Sequence, residues 1–134
     1  MKALFEIAEE SGIQVEYGRL PENRSLSAPI GGKCYIALDR ALGEHPREER
    51  VSLAHELGHC LTGSFYNLYS PLDIRGKHEH RADLWAIRQL VPQGELEAAV
   101  AEGLTQLWEL AERFQVPEPF MRKAVEYYRS LKEP

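Results

Sequence analysis

Residues 51–62 read Val-Ser-Leu-Ala-His-Glu-Leu-Gly-His-Cys-Leu-Thr, and the fold is decided by how this stretch coils. On a helix, residues four apart are neighbours on one face. His55 and His59 can therefore aim two imidazoles at one point, as a zinc ion requires at about 2.0–2.1 Å from each nitrogen. Glu56 is turned by roughly 60–100° from the histidines, so it flanks the metal without having to ligate it. Zinc lowers the pKa of a water that it holds, and a carboxylate beside that water can take the proton. Leu53, Leu57, Cys60 and Leu61 fall on the opposite side and are expected to be the buried face. Gly58 lies between the two faces, weakens the helix by about 1 kcal/mol relative to Ala, and suggests close approach of another backbone.

A catalytic zinc takes three protein ligands and leaves one position to water. Glu79 is the choice for the third, near the start of a second long helix expected over roughly 77–90 and closed by Pro92. It alone combines the right face with a helical acid four residues on, Asp83, which could hydrogen-bond the far nitrogen of a liganding histidine. The rivals are His78, His80 and Asp83 itself. Ala82, Ala86 and Leu90 share the face of Asp83, and small alanines there would let this helix pack tightly on the histidine helix. Cys60 lies about 100° round the helix from His59, which favours a buried thiol over a fourth ligand.

Outward from these helices, Leu4, Phe5, Ile7 and Ala8 stand at helical spacing over 2–10, with Gly12 as a stop. Ile13, Val15 and Tyr17 alternate as in a strand. Residues 18–32 hold two prolines and the Gly31-Gly32 pair and read as loop, with a short strand near Leu26–Ile30. Cys34–Leu38 is a compact strand, either an edge beside the cleft that an extended substrate could join or an interior strand. Pro46 opens the histidine helix, with Glu48 and Glu49 suited to its first turn, and Gly63 closes it near Thr62. Residues 64–76 read as an aromatic loop. The last forty residues read as three short helices separated at Gly103 and at 116–119. The fold class expected is α+β and zincin-like, a small antiparallel or mixed sheet with an active-site helix and a helical C-terminal part. A single domain over 1–134 is expected, with a core over 1–92 and a helical tail over 93–134 packed on it.

The 134 residues carry a net charge of −5, and 43% are apolar, an ordinary globular mixture. The balance opposes a nucleic-acid binder that relies on bulk charge. The tail has a helix-turn-helix cadence, with stripes at Leu104, Leu107, Leu110, Ala111 and Phe114 and at Phe120, Ala124, Val125 and Tyr128. From residue 95 on, however, five basic residues face eight acidic ones, a net of −3, whereas phosphate contacts dominate nucleic-acid affinity. No direct nucleic-acid partner is expected. No apolar run approaches membrane length. Glu6, Glu9 and Glu10 fall where a signal peptide would be apolar, so the expected compartment is the cytoplasm. Cys34 and Cys60 are too few for a disulfide framework and are read as free thiols.

The residues now quoted resemble the ImmA/IrrE family of small zinc metallopeptidases, of the gluzincin type. Tyr35–Asp39, a proline-bearing acidic turn and Val51–His59 resemble the family's strand leading into its active-site helix. Glu79–Pro92 resembles its second signature, with Trp85 where Phe is commoner. The 19 residues between His59 and Glu79 also match gluzincin spacing. The resemblance implies His55, His59 and Glu79 as zinc ligands and Glu56 as catalytic base. It also implies a protein substrate, a helix-turn-helix transcriptional repressor of a phage or mobile element, cut or inactivated in antirepressor fashion. The loop 60–78 lacks the His- or Gly-rich stretches of some relatives, so substrate contacts do not carry over. The chain ends soon after the helical tail, so a sensor-like domain is not expected. Tyr66, Tyr69, His78, His80 and Arg81 are candidates for stabilising an oxyanion, although each taken singly reads rather as a loop residue covering the core. The rival function is a regulatory binding protein, half of a repressor–antirepressor or toxin–antitoxin pair, in which zinc is structural.

Overall fold

The computed structural model describes residues 3–20, 24–66 and 69–132. It contains a three-stranded sheet and helices before and after it, an α+β fold with a helical C-terminal part. The chain divides into two compact units, Met1–Ala86 and Ile87–Pro134.

In the first unit, helix α1 (Leu4–Glu10) leads to β1 (Gln14–Gly18), β2 (Ser25–Ile30) and β3 (Lys33–Asp39). Strand β3 is central: β1 pairs with it in parallel and β2 antiparallel. Gly31 and Gly32 make the β2–β3 turn, with φ of 59° and 82°, between the paired residues Ile30 and Lys33. A two-residue turn with both φ values positive follows the twist of the strands, and glycine adopts it without steric penalty. The strand at 34–38 is thus interior rather than an edge. It is longer than expected, and the edge beside it is β2. A short 3-10 helix, Arg40–Glu44, joins β3 to α2 (Pro46–Thr62), a segment that the hydrophobic pattern did not disclose.

Helix α2 packs on β2 and β3. Its Leu53, Ala54 and Leu57 are fully buried with Ile36, Leu38 and Leu42. Leu61, expected in that face, is 40% exposed, because it stands in the last turn before Gly63 ends the helix. The cysteines are not free thiols: Cys34 and Cys60 form a disulfide, with their Cα atoms 5.8 Å apart. Alternation puts Cys34 on the same sheet face as buried Ile36 and Leu38, and Cys60 lies on the buried side of α2. The two sulfurs were thereby brought together across 26 residues of chain.

Helix α3 spans Leu72–Leu90, so it starts five residues before the expected position. Pro71 acts as a start signal rather than a loop marker, its carbonyl accepting from the N–H groups of Ile74 and Arg75. Gly76 is carried inside the helix. A Cβ placed on Gly58 would stand 2.7 Å from the carbonyl oxygen of Ala82. Glycine there and buried Ala82 therefore let α2 and α3 approach backbone to backbone.

The second unit holds the end of α3 and α4 (Gln93–Ala101), α5 (Leu107–Phe114) and α6 (Glu118–Lys132). The three expected helices are present. Leu110, Ala111, Phe120, Ala124 and Tyr128 of the two apolar stripes are buried. The Tyr128 hydroxyl donates to the carbonyl of Val91 at 2.7 Å. Among the described residues, no helix is long and apolar enough to cross a membrane.

Candidate metal centre

Helix α2 carries His55 and His59 one turn apart on the face that meets α3. The first turns of α3 bring Glu79 to them. His55 Nε2 lies 2.8 Å from Glu79 Oε2, and His59 Nε2 lies 3.1 Å from Glu79 Oε1. The two Nε2 atoms are 3.2 Å apart. These three side chains can hold a metal ion. Four ligands arranged tetrahedrally at zinc distances stand about 3.3 Å from one another, close to the separations found.

The protons make the case stronger. Nδ1 of His59 donates to the backbone carbonyl of Ser64, which can only accept. In the neutral imidazole its Nε2 is then a bare lone pair. Nδ1 of His55 stands 2.8 Å from Asp83 Oδ1, the carboxylate contact that fixes a liganding imidazole. Two ring nitrogens and a carboxylate thus direct lone pairs at one point. Such a cluster is stable only around positive charge, supplied by a proton or by a metal ion. Burial disfavours the His55 imidazolium, but the hydrogen bond and charge of Asp83 at Nδ1, with smaller contributions from Glu56 and Glu79, outweigh that and raise its pKa above the ordinary histidine value.

Glu56, Asp83 and the loop complete the surroundings. Glu56 is 6% exposed and receives hydroxyl hydrogen bonds from Ser25 at 2.8 Å and from Ser27 at 2.6 Å. Thr62 Oγ1 lies 2.5 Å from Ser64 Oγ and donates to the Gly58 carbonyl at 2.6 Å. These bonds pin the turn that presents the Ser64 carbonyl to His59. Phe65 stacks on the His59 ring at 5.9 Å. The Tyr66 hydroxyl donates to Glu79 Oε1 at 2.8 Å. That hydrogen bond comes first in raising the Tyr66 pKa, followed by partial burial and the Glu79 charge.

A cleft of about 510 Å³ opens over these groups, lined by Arg24, Ser25, Leu26, Ser27, His55, Glu56, His59, Ser64, Phe65, Tyr66 and Glu79. One wall is the edge strand β2; the other is the loop after α2. The side chains singled out from sequence, His55, Glu56, His59, Glu79 and Asp83, are all brought together. The rival ligands His78 and His80 stay outside the group of three. Of the five oxyanion candidates, Tyr66 lines the cleft, Tyr69 is 94% exposed, and His78 stacks on the Tyr66 ring at 6.2 Å. His80 and Arg81 are exposed. Sequence reasoning missed Ser25, Ser27 and Ser64. The one signal available was polar serine at alternate positions of a short strand.

A family profile described as Peptidase_M78, the IrrE N-terminal-like domain, matches residues 8–126. The chain belongs to this metallopeptidase family. The match takes in the sheet, the site and most of the C-terminal helices, which agrees with the resemblance read from Val51–His59 and Glu79–Pro92. A comparison with curated proteins finds no match.

Proposed function

We propose that this member of the family is a zinc-dependent endopeptidase, with His55, His59 and Glu79 as zinc ligands and Glu56 as the catalytic base. The observation that carries the reading is the convergence of the two Nε2 atoms and the Glu79 carboxylate within 2.8–3.2 Å of one another, beside a buried glutamate and an open cleft. A bound zinc ion supplies Lewis acidity toward a peptide carbonyl and acidifies a water molecule. Glu56 takes the proton of the attacking water and passes it to the leaving amine. Asp83 and the Ser64 carbonyl hold the two imidazoles in the tautomer that leaves Nε2 free. Tyr66, whose hydroxyl already stands at Glu79, donates to the oxygen on which negative charge grows.

Strand β2, the free edge on this side of the sheet, lines the cleft, and an extended peptide can add to it by backbone pairing. The substrate is accordingly a protein segment presented in extended form. A helix-turn-helix transcriptional repressor is the substrate class that the family resemblance supports, with neither a membrane nor a nucleic acid as partner and the cytoplasm as the place of action.

The test offers a proteome-derived peptide library to zinc-loaded protein and to Glu56→Gln, and reads new N-termini by mass spectrometry. New termini with the wild type, abolished by chelation and by Glu56→Gln while that variant keeps its zinc, support the reading. The absence of new termini from both proteins would favour instead a binder in which zinc is structural.

A further inference from the structure

Strand β2 is patterned inside out. Alternation puts Ser25 and Ser27 on one side and Leu26 on the other. A strand packed on a helix ordinarily turns its apolar residues toward that helix. Here the serines face α2, half-buried, while Leu26 is 43% exposed. The inversion has a specific beneficiary. Ser25 donates to Oε2 of Glu56 and Ser27 donates to Oε1, so each carboxylate oxygen receives one hydroxyl, both from one strand. A glutamate side chain turns about three bonds, and a single hydrogen bond leaves it free to pivot about the bonded oxygen. Two donors fixed 2 residues apart on a sheet strand remove that freedom.

We propose that Ser25 and Ser27 are positioning residues that hold the Glu56 carboxylate in its working orientation, with the edge strand that receives the peptide also setting the base. This rests on the peptidase reading. The strand's antiparallel register with β3, Ser25 opposite Leu38 and Ser27 opposite Ile36, ties both hydroxyls to the buried core. The clamp is therefore as rigid as the sheet. Its loss acts on the chemical step rather than on peptide binding, because neither hydroxyl is needed to pair a backbone along β2. Misplacing a reacting group by about 1 Å lowers the rate on the order of 10²-fold.

The experiment compares Ser25→Ala, Ser27→Ala, the double alanine variant, and Ser25→Thr and Ser27→Thr. Threonine keeps the hydroxyl and is at home in a strand. The first readout is steady-state kinetics on a peptide that the wild type cuts, with zinc content measured alongside. The second is the carbon NMR signal of the Glu56 carboxylate in metal-free protein labelled at glutamate Cδ, assigned by its disappearance in Glu56→Gln.

The expected result is a fall in kcat of about tenfold in each alanine variant and on the order of 10²-fold in the double variant. KM and zinc content stay unchanged, activity is kept by threonine, and the carboxylate signal shifts in the alanine variants alone. Wild-type kcat in the double alanine variant, an unmoved carboxylate signal, or a kcat loss that merely tracks zinc loss overturns the proposal. If the wild type cuts no peptide, the peptidase reading fails and the catalytic role falls with it. The carbon signal then decides separately whether the two hydroxyls hold Glu56.

Discussion

Gly58 and Ala82 meet with no room for a methyl group between them: a Cβ on Gly58 would lie 2.7 Å from the Ala82 carbonyl oxygen and 3.0 Å from its Cα. The contact is to backbone, so no rotamer change relieves it. It stands one residue from His59 and one from Asp83, and it sets how far α2 and α3 are apart at the metal centre.

Gly58→Ala is therefore expected to destabilise the protein. Alanine gains about 1 kcal/mol of helix propensity, while forcing a methyl into a packed interface costs about 1–3 kcal/mol. The larger effect is expected on metal affinity, since Glu79 moves away with α3. Thermal melts with and without zinc, together with a chelator competition, measure both. A variant more stable than wild type with unchanged zinc affinity would contradict the account.

Asp83→Asn keeps the size of the side chain and removes its charge from His55. Loss of such a partner typically lowers metal affinity about 10–100-fold, and Asp83→Ala should fall at least as far. Zinc should stabilise the wild type against heat by an amount that grows with the free-metal concentration, and Glu79→Gln should largely abolish the gain. Calorimetry at fixed free zinc reads both effects.

Tyr66→Phe removes a hydroxyl 2.8 Å from Glu79 Oε1 and leaves the ring to stack on His78. Zinc content is expected to persist and kcat to fall on the order of 10²-fold. A fall confined to KM would assign Tyr66 to substrate binding instead.

The Cys34–Cys60 bridge closes a loop of 26 residues between β3 and the end of α2. In the chain-entropy account a loop of that size is worth about 3.5 kcal/mol. Adding a dithiol reductant should lower the melting temperature of the wild type but not that of a Cys34→Ser, Cys60→Ser double variant. A reducing compartment keeps such bridges open, so the measured reduction potential decides which form works where.

Tyr128 links stability to pH. Burial, reinforced by Tyr127 and partly offset by Arg88, raises its pKa above the usual tyrosine value. A raised folded pKa favours the neutral phenol, so its contribution is present below about pH 10 and is lost as pH rises through the folded value. Tyr128→Phe leaves the Val91 carbonyl without this donor and should lose about 1–3 kcal/mol at neutral pH. Urea midpoints at pH 8 and pH 11 should show the gap between wild type and variant narrowing at the higher pH. A constant gap would mean that the phenol ionises equally in both states.

By itself the sequence determined what repeats within a few residues. The four-residue spacing of His55 and His59, the offset of Glu56, and the pairing of Glu79 with Asp83 are consequences of the helical period, which holds locally within each helix. The α+β order followed from the same local signals, and so did the choice of Glu79 over its neighbours. Tertiary structure alone decided what lies far apart in the chain. The hydrogen bonds to Glu56 span 31 and 29 residues and the disulfide spans 26. The interior position of β3 and the edge position of β2 depend on which strand pairs with which. No periodicity encodes these contacts, because they come into being only when the β2–β3 hairpin folds onto α2 and chooses which side of each strand meets it.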